Sequence, residues 1–600
     1  MGYYKLKRVQ NLIWEIEESI NSEGQESKYL LSSQIDKEKE IEMVLSKIDF
    51  RHHKNFIIFG IRNIKLLSEI YKRKTPASTI IIIELFIDRE ENLFVECENK
   101  DLAFLFDRKR VNLTIGTQEE LVTQLNTVLG DMLKLYNLRN TEIISMPYVK
   151  SMYFNEMKNL TKLIFERLHT FISSYGNSVE DILLGMDNFL DNWSHVFRGM
   201  DYIHFEDLFK DKPAIIVGAG PSLDKNIQQL KRAKGKALIL CVDAALNSLL
   251  DAGIVPDLVT SIERLELTAK FYNRKDLPNE MVFVGPNVVK DFVLNKFERI
   301  IFTGRAGDAL IRDFGGYIGF NNLDIGGNVS NILIAFAEHL GCNPITFVGL
   351  DLAYTGGRTH TTGVSEALGE ENMGGYTKKE AIVYVKGQNG EMLETLEFFM
   401  HAKNWIEINV TRNSQHLFIN ATEGGAIIEG VQNQKLTDVI NRYCLEAISP
   451  FNNIYDNLKN SIILDKIDTT QKALNYIKEV DKYLRRTSKK AADFLNKIKT
   501  HQGVGLVNLM EKQRGEMQAV LDKNSSGRFI LQPIIISYNR DIHSFPMYLS
   551  KQDEKRMLER SVEFYDTIKK VCIRVSEDFK AYKMILDRYL EICQKEEGAI

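Results

Sequence analysis

Six hundred residues exceed what one hydrophobic core organises, so the chain is expected to divide into domains of about 100–200 residues each. A net charge of -4, from 77 basic against 81 acidic side chains, excludes a general electrostatic attraction to nucleic acid or membrane surfaces. With 44% apolar and 26% charged residues, the composition is that of a globular protein rather than a disordered or membrane-embedded one.

The N-terminal stretch is charged and amphipathic, which predicts helix over residues 1–50 and no signal peptide. It opens Met-Gly, but Leu6 breaks the myristoylation pattern. The longest apolar runs fall far short of the ~20 residues of a spanning helix, so no membrane span is expected. The six cysteines (Cys97, Cys241, Cys342, Cys444, Cys572, Cys593) have no CxxC or metal-ligand spacing. They point to a reducing, cytoplasmic compartment.

Residues 56–60 read as a buried strand into a turn, 63–71 as helix, and 79–83 as a second strand capped by Glu84. With short strands near 93–95 and 111–115, this makes an α/β domain over 1–150. Its turn has one glycine, Gly60, so Glu84 is either a ribose ligand or part of a purely structural turn. Residues 151–208 carry apolar positions at helical spacing and read as connector helices.

The core spans 209–440. An apolar run at 214–217 breaks into Gly218-Ala219-Gly220-Pro221-Ser222, a helix pattern follows, and a second apolar run ends on Asp243. Strand, glycine turn, helix and strand describe a βαβ unit whose first turn can receive a phosphate. Six successive strand candidates end on Gly218, Asp243, Glu263, Asn287, Thr303 and Asp351, residues that collect at the carboxyl edge of a parallel sheet, where such sheets bind ligands. Gly326-Gly327-Asn328-Val329-Ser330 opens another helix, either as a plain cap or as a second place where amides meet an anion. Residues 351–378 form a glycine-rich irregular segment of the kind used as a lid, and it contains His360. Most lone histidines are structural, but this one follows a strand end without apolar periodicity around it, a setting typical of general bases. A hairpin through Asn389-Gly390, a helix and a strand lead to Asn420-Ala421-Thr422-Glu423-Gly424. Residues 441–600 are helical and charged throughout, a bundle or hairpin array.

The glycine turn lacks the third glycine of a dinucleotide fingerprint, since Leu223 stands there, and no Walker loop or metal-ligand cluster is present. Four blocks carry a resemblance: PAIIVGAGPSLDKNI, ALILCVDAALNSLLDAGIVPDLVTSIE, GGNVSNILIAFAEHLGCNPITFVGLDLAYTGGRTH and LFINATEGGAIIEG. Together they are similar to the motility accessory factor family, bacterial flagellin glycosyltransferases that attach pseudaminic or legionaminic acid to Ser/Thr. The core is more distantly similar to bacterial sialyltransferases that use CMP-activated sugars. The resemblance implies a central Rossmann-like sheet, preceded by a smaller α/β domain and followed by a helical domain. It implies a CMP-activated nonulosonic acid as donor with no resident cofactor, flagellin as acceptor, and room for a homo-oligomer. It further implies that Gly218, Gly220, Pro221 and Ser222 cradle the CMP phosphate, that Asp243 and Glu263 face the nucleotide or sugar, and that Asn328 and Ser330 meet the donor carboxylate or phosphate. Asp351 and Tyr354 would line the floor and His360 would act as base, which makes His360 and Asp351 the catalytic candidates. Asn287, Thr422, Glu423 and Gly424, at strand ends, are also expected to face the donor. Cys241-Val242-Asp243 departs from the asparagine-bearing segment that the sialyltransferases carry. Two rival readings are an ATP-dependent hydroxymethylpterin pyrophosphokinase on the same core and a flagellin-binding module without activity.

Overall fold

The computed structural model describes the chain apart from residues 1–2, 11–12, 20–36, 62, 86–93, 97–102, 130, 175–177, 306–307, 325, 365–381, 463, 502–504, 547 and 598–600. Its contacts divide into two units. The first comprises Met1–Gly176, Lys489–Gln518 and Leu531–Lys570; the second comprises Asn177–Ser488, Ala519–Ile530 and Val571–Ile600.

In the first unit, β1 (Tyr3–Gln10), β2 (Ile13–Ser19) and β5 (Phe94–Glu96) form an antiparallel sheet. The expectation of helix at the N-terminus is therefore wrong over residues 3–10 and 13–19. The backbone register sets Lys5 opposite Glu17 and Lys7 opposite Glu15. The second sheet is parallel, in the order β6-β4-β3-β7, from β3 (Asn55–Phe59), β4 (Thr79–Leu85), β6 (Val111–Gly116) and β7 (Thr141–Ser145). Every residue of β3 and β4 is buried, as the unbroken Ile-rich runs require of strands covered on both faces. The helix Ile64–Arg73 is capped by Asn63, whose side chain accepts from Leu66 N, and turns Leu66, Leu67 and Ile70 inward. Glu84 is buried, and its carboxylate accepts Ile61 N at 2.6 Å. The acid that sequence alone left open as a ribose ligand thus closes the turn after β3.

The second unit holds a nine-stranded parallel sheet, ordered β20-β19-β16-β9-β10-β11-β12-β13-β8. Its strands are β8 (Met200–Asp201), β9 (Ala214–Val217), β10 (Leu238–Val242), β11 (Leu258–Thr260), β12 (Val282–Gly285), β13 (Arg299–Phe302), β16 (Ile345–Val348), β19 (Phe418–Asn420) and β20 (Gln432–Asn433). Short pairs add β14 (Gly304–Arg305) with β15 (Asn322–Leu323), and β17 (Ile382–Lys386) with β18 (Met392–Leu396). Central strands are fully buried, and the apolar helix Val329–His339 packs across β9, β10, β11 and β16. The C-terminal helices Lys466–Thr500, Leu506–Leu521, Ser525–His543 and Lys551–Glu597 each supply residues to both units. Among the described residues no helix is long and apolar enough to cross a membrane.

Candidate active site

The chain runs from β9 through β13 toward one side of the sheet and then returns to place β16 on the other side of β9. Strand order reverses there, and a crevice opens outside the carboxyl ends of the flanking strands. A cavity of about 140 Å³ occupies it, lined by Gly218, Gly220, Asp243, Glu263, Asn328, Ser330, Asp351 and His360 among others. These eight residues, expected from their positions in the sequence, are brought together by the fold.

The glycine turn packs tightly against the turn after β16. Gly218 N donates to Val348 O at 2.8 Å, and Gly220 N donates to Gly349 O at 2.7 Å. A Cβ on Gly218 would stand 2.6 Å from Gly349 O, and one on Gly220 would run into Asp351 Oδ2. The glycines are needed because the turns after β9 and β16 pack backbone against backbone. Ser222 is fully buried and gives its hydroxyl to Asp351 Oδ2 at 2.6 Å, while its amide faces both carboxylate oxygens at 3.3 and 3.4 Å. The Gly218, Gly220 and Ser222 amides are therefore engaged, and Pro221 and Ser222 stand behind the lining residues. The helix beyond is one turn, Leu223–Asn226, passing into a 3₁₀ segment, Ile227–Arg232.

Asp243 begins the helix Asp243–Asp251. Its carboxylate accepts Ala244 N at 2.8 Å and the Ser261 hydroxyl at 2.6 Å. Burial pushes its pKa up to about 7 against these two hydrogen bonds, and the nearby Glu263 charge adds to the rise. Burial also raises Asp351, opposed by hydrogen bonds from Ser222 and Thr355. Opposite them, Asn328 caps the helix Val329–His339, its Oδ1 accepting Ser330 N at 2.9 Å and Ser330 Oγ at 2.8 Å. His360 Nδ1 lies 3.0 Å from Thr359 Oγ1, and its ring stands 6.1 Å from that of Phe399. Burial pulls its pKa down to about 4, which leaves the imidazole neutral, and so able to accept a proton, at neutral pH. The described lining thus has three carboxyl groups, one neutral histidine and neither Lys nor Arg. No group of three metal-ligating side chains occurs among the described residues.

Other expected residues stand elsewhere. Asn287 is covered by the helix Val179–Asp191: its Nδ2 approaches Phe189 O at 3.5 Å. Asn188 donates to Arg264 O at 3.0 Å and Val288 O at 2.7 Å, and Asn192 donates to Val289 O at 2.7 Å. This cover closes the end of β12, and neither Asn287 nor Thr303 lines the cavity, so six strand ends do not form one site. Tyr354 N pairs with Glu394 O at 2.8 Å, on the edge of β18. Thr422 Oγ1 accepts Leu350 N at 3.1 Å, and Gln388 holds the Thr422 and Gly424 carbonyls. Glu423 O accepts Lys225 Nζ at 3.0 Å. The 422–424 turn therefore braces the strand-end turn that carries the floor. Among the lining residues that sequence reasoning missed are Thr268, Phe271, Thr359, Phe398 and Phe399. Asn188 and Asn192 in the cover were missed as well; two asparagines one turn apart on an apolar helix were the available signal.

A structure search finds a MAf glycosyltransferase from Magnetospirillum magneticum AMB-1 at a TM-score of 0.55, covering 92% of this chain and 86% of that one at 15% identity. The chain has the fold of a MAf glycosyltransferase. The resemblance to motility accessory factors, read from four sequence blocks, is thereby met in three dimensions. A family model described as 6-hydroxymethylpterin diphosphokinase MptE-like matches residues 187–357, from the cover helix to the turn before His360. An uncharacterized protein of Treponema pallidum (strain Nichols) is 38% identical over 94 residues; the match covers 16% of this chain and spans only 15% of that protein.

Proposed function

We propose that this chain is a cytoplasmic flagellin glycosyltransferase. It would move a nonulosonic acid, of the pseudaminic or legionaminic type, from its CMP-activated form to Ser/Thr hydroxyls. The observation that carries this reading is the cavity at the β9/β16 reversal, which sets a neutral His360 together with the capped N-terminus of the helix Val329–His339 on a MAf fold. In the proposed step the acceptor oxygen bonds to the anomeric carbon, inverting it, and its proton passes to His360. The glycosyl–phosphate bond breaks, and CMP leaves with the electron pair. The helix N-terminus contributes partial positive charge toward the departing phosphate or the sugar carboxylate. CMP is already a good leaving group, so the reading calls for no resident cofactor. Asp243 and Glu263 would face the donor's hydroxyls.

CMP should raise the melting temperature of the purified chain, whereas ATP with Mg²⁺ should not. The opposite pattern would favour a pterin pyrophosphokinase, the reading supported by the family-model match. His360→Ala should lower transfer to purified flagellin by about 10²-fold or more. Full activity in that variant would remove His360 from the base role. Unchanged flagellin mass in a strain lacking the gene would end the transferase reading.

A further inference from the structure

His360 lies between two attachments of one short segment to the glycine turn. Upstream, Thr355 and Arg358 exchange backbone hydrogen bonds of 3.0 and 3.2 Å around Gly356 and Gly357, whose φ angles are +59° and +75°. A Cβ at either glycine would meet nothing within 4 Å, so these glycines serve the left-handed turn and not a close approach. The turn delivers Arg358 to Asp224, with Nη1 3.1 Å from Oδ2. Downstream, Thr361 N donates to Ala219 O at 2.8 Å, and its hydroxyl lies 3.3 Å from that of Ser248. Thr359 and Thr361, on either side of His360, are buried.

The ion pair itself is open to water: Arg358 and Asp224 are 47% and 32% exposed. A pair so exposed contributes only about 0–1 kcal/mol to folding. Its placement matters more. Asp224 follows by two residues the Ser222 that holds Asp351, and Arg358 precedes His360 by two. The pair therefore ties the turn carrying the floor's anchor to the turn carrying the candidate base, from outside the cavity.

We propose that Asp224 and Arg358 are positioning residues, a clamp that seats the 355–361 segment on the glycine turn and holds His360 in the cavity wall. Its consequence for turnover rests on the transferase reading; the clamp itself does not. The test uses the full chain and limited modification by diethyl pyrocarbonate, with the His195, His360 and His543 peptides followed by mass spectrometry. D224A and R358A should each raise the His360 modification rate roughly fivefold at low salt, the limit set by a pair of this kind. The charge-swapped D224R/R358D should return it toward wild type. His543, in the other unit, should not change, and neither should His195, buried in the same unit as the clamp, which reports that this unit's fold is intact. In transfer assays the single variants should lower kcat, by no more than about fivefold, by misplacing the base, with donor KM unchanged. An unchanged His360 rate in both single variants overturns the clamp, and a raised rate with unchanged kcat overturns its positioning role. A raised rate in a chain whose wild type transfers nothing keeps the clamp and removes the transferase reading.

Discussion

Asp243 shows how the fold sets the chemistry of single residues. Its folded pKa of about 7 lies above its ordinary 3.8, because burial disfavours the charge more than Ser261 and Ala244 favour it. The folded chain therefore holds this proton more tightly than the unfolded one. The resulting stability is complete below pH 3.8 and is lost as pH rises to about 7. Asp243→Asn keeps the shape without the charge, since an amide can donate to Ser261. It should be equal to wild type near pH 4 and more stable above pH 7 by about 2–4 kcal/mol in urea unfolding. An equal difference at both pH values would sink this account. Gly220 makes a steric counterpart: Gly220→Ala pushes a methyl group into Asp351 and Gly349 O, and should cost about 1–3 kcal/mol while lowering CMP affinity. A fully stable Gly220→Ala that binds as wild type would show that the two turns are not tightly packed.

At the level of elements, the helix Val179–Asp191 decides which strand ends are available. Asn188 satisfies two buried carbonyls, those of Arg264 and Val288, so Asn188→Ala should destabilise by about 2 kcal/mol with donor KM unchanged. A raised KM with no loss of stability would instead place this region in the site. The same helix marks the boundary of what was legible in the sequence. Strands announced themselves as apolar runs, and the residues after them (Asp243, Glu263, Asp351) were read as facing a crevice because strand direction dictates it. Asn287 fits the same local pattern, yet what covers it lies 98 residues away at Phe189, and no local signal carries that contact. The glycine turn was read correctly as a turn, but that its glycines also serve a close backbone packing was not legible. Its partner is a second turn, Gly349 to Asp351, that neighbours it only after the strand order reverses. The N-terminal strands were hidden for another reason. The stretch is charged enough to resemble a solvated helix, and the backbone pairing of residues 3–10 with 13–19 is set by partners that no local pattern names.

For the whole molecule, sequence shows one helical region over 441–600, whereas contacts assign residues of its long helices to both units. His543 supplies a test of the acid response of the first unit. Its ring packs 5.2 Å from His53 and 5.4 Å from Tyr136, and its Nδ1 donates to Asn137 Oδ1 at 2.8 Å. Burial, with His53 and Arg514 nearby, pulls its pKa down to about 3 from an ordinary 6.5. For a histidine this sign means that the folded state holds fewer protons than the unfolded state. The stability is complete above pH 6.5 and is lost as pH falls toward 3. Between pH 6.5 and 5 the loss from this one group reaches roughly 2 kcal/mol. His543→Phe keeps a ring against Tyr136 and removes the titration. The variant should start less stable at pH 7, because Asn137 Oδ1 loses its donor, yet lose less on going to pH 5. Opening free energies from hydrogen exchange in β3, β4 and β7, compared at the two pH values, read that slope directly. Equal slopes in wild type and variant would mean that the acid lability of this unit arises elsewhere.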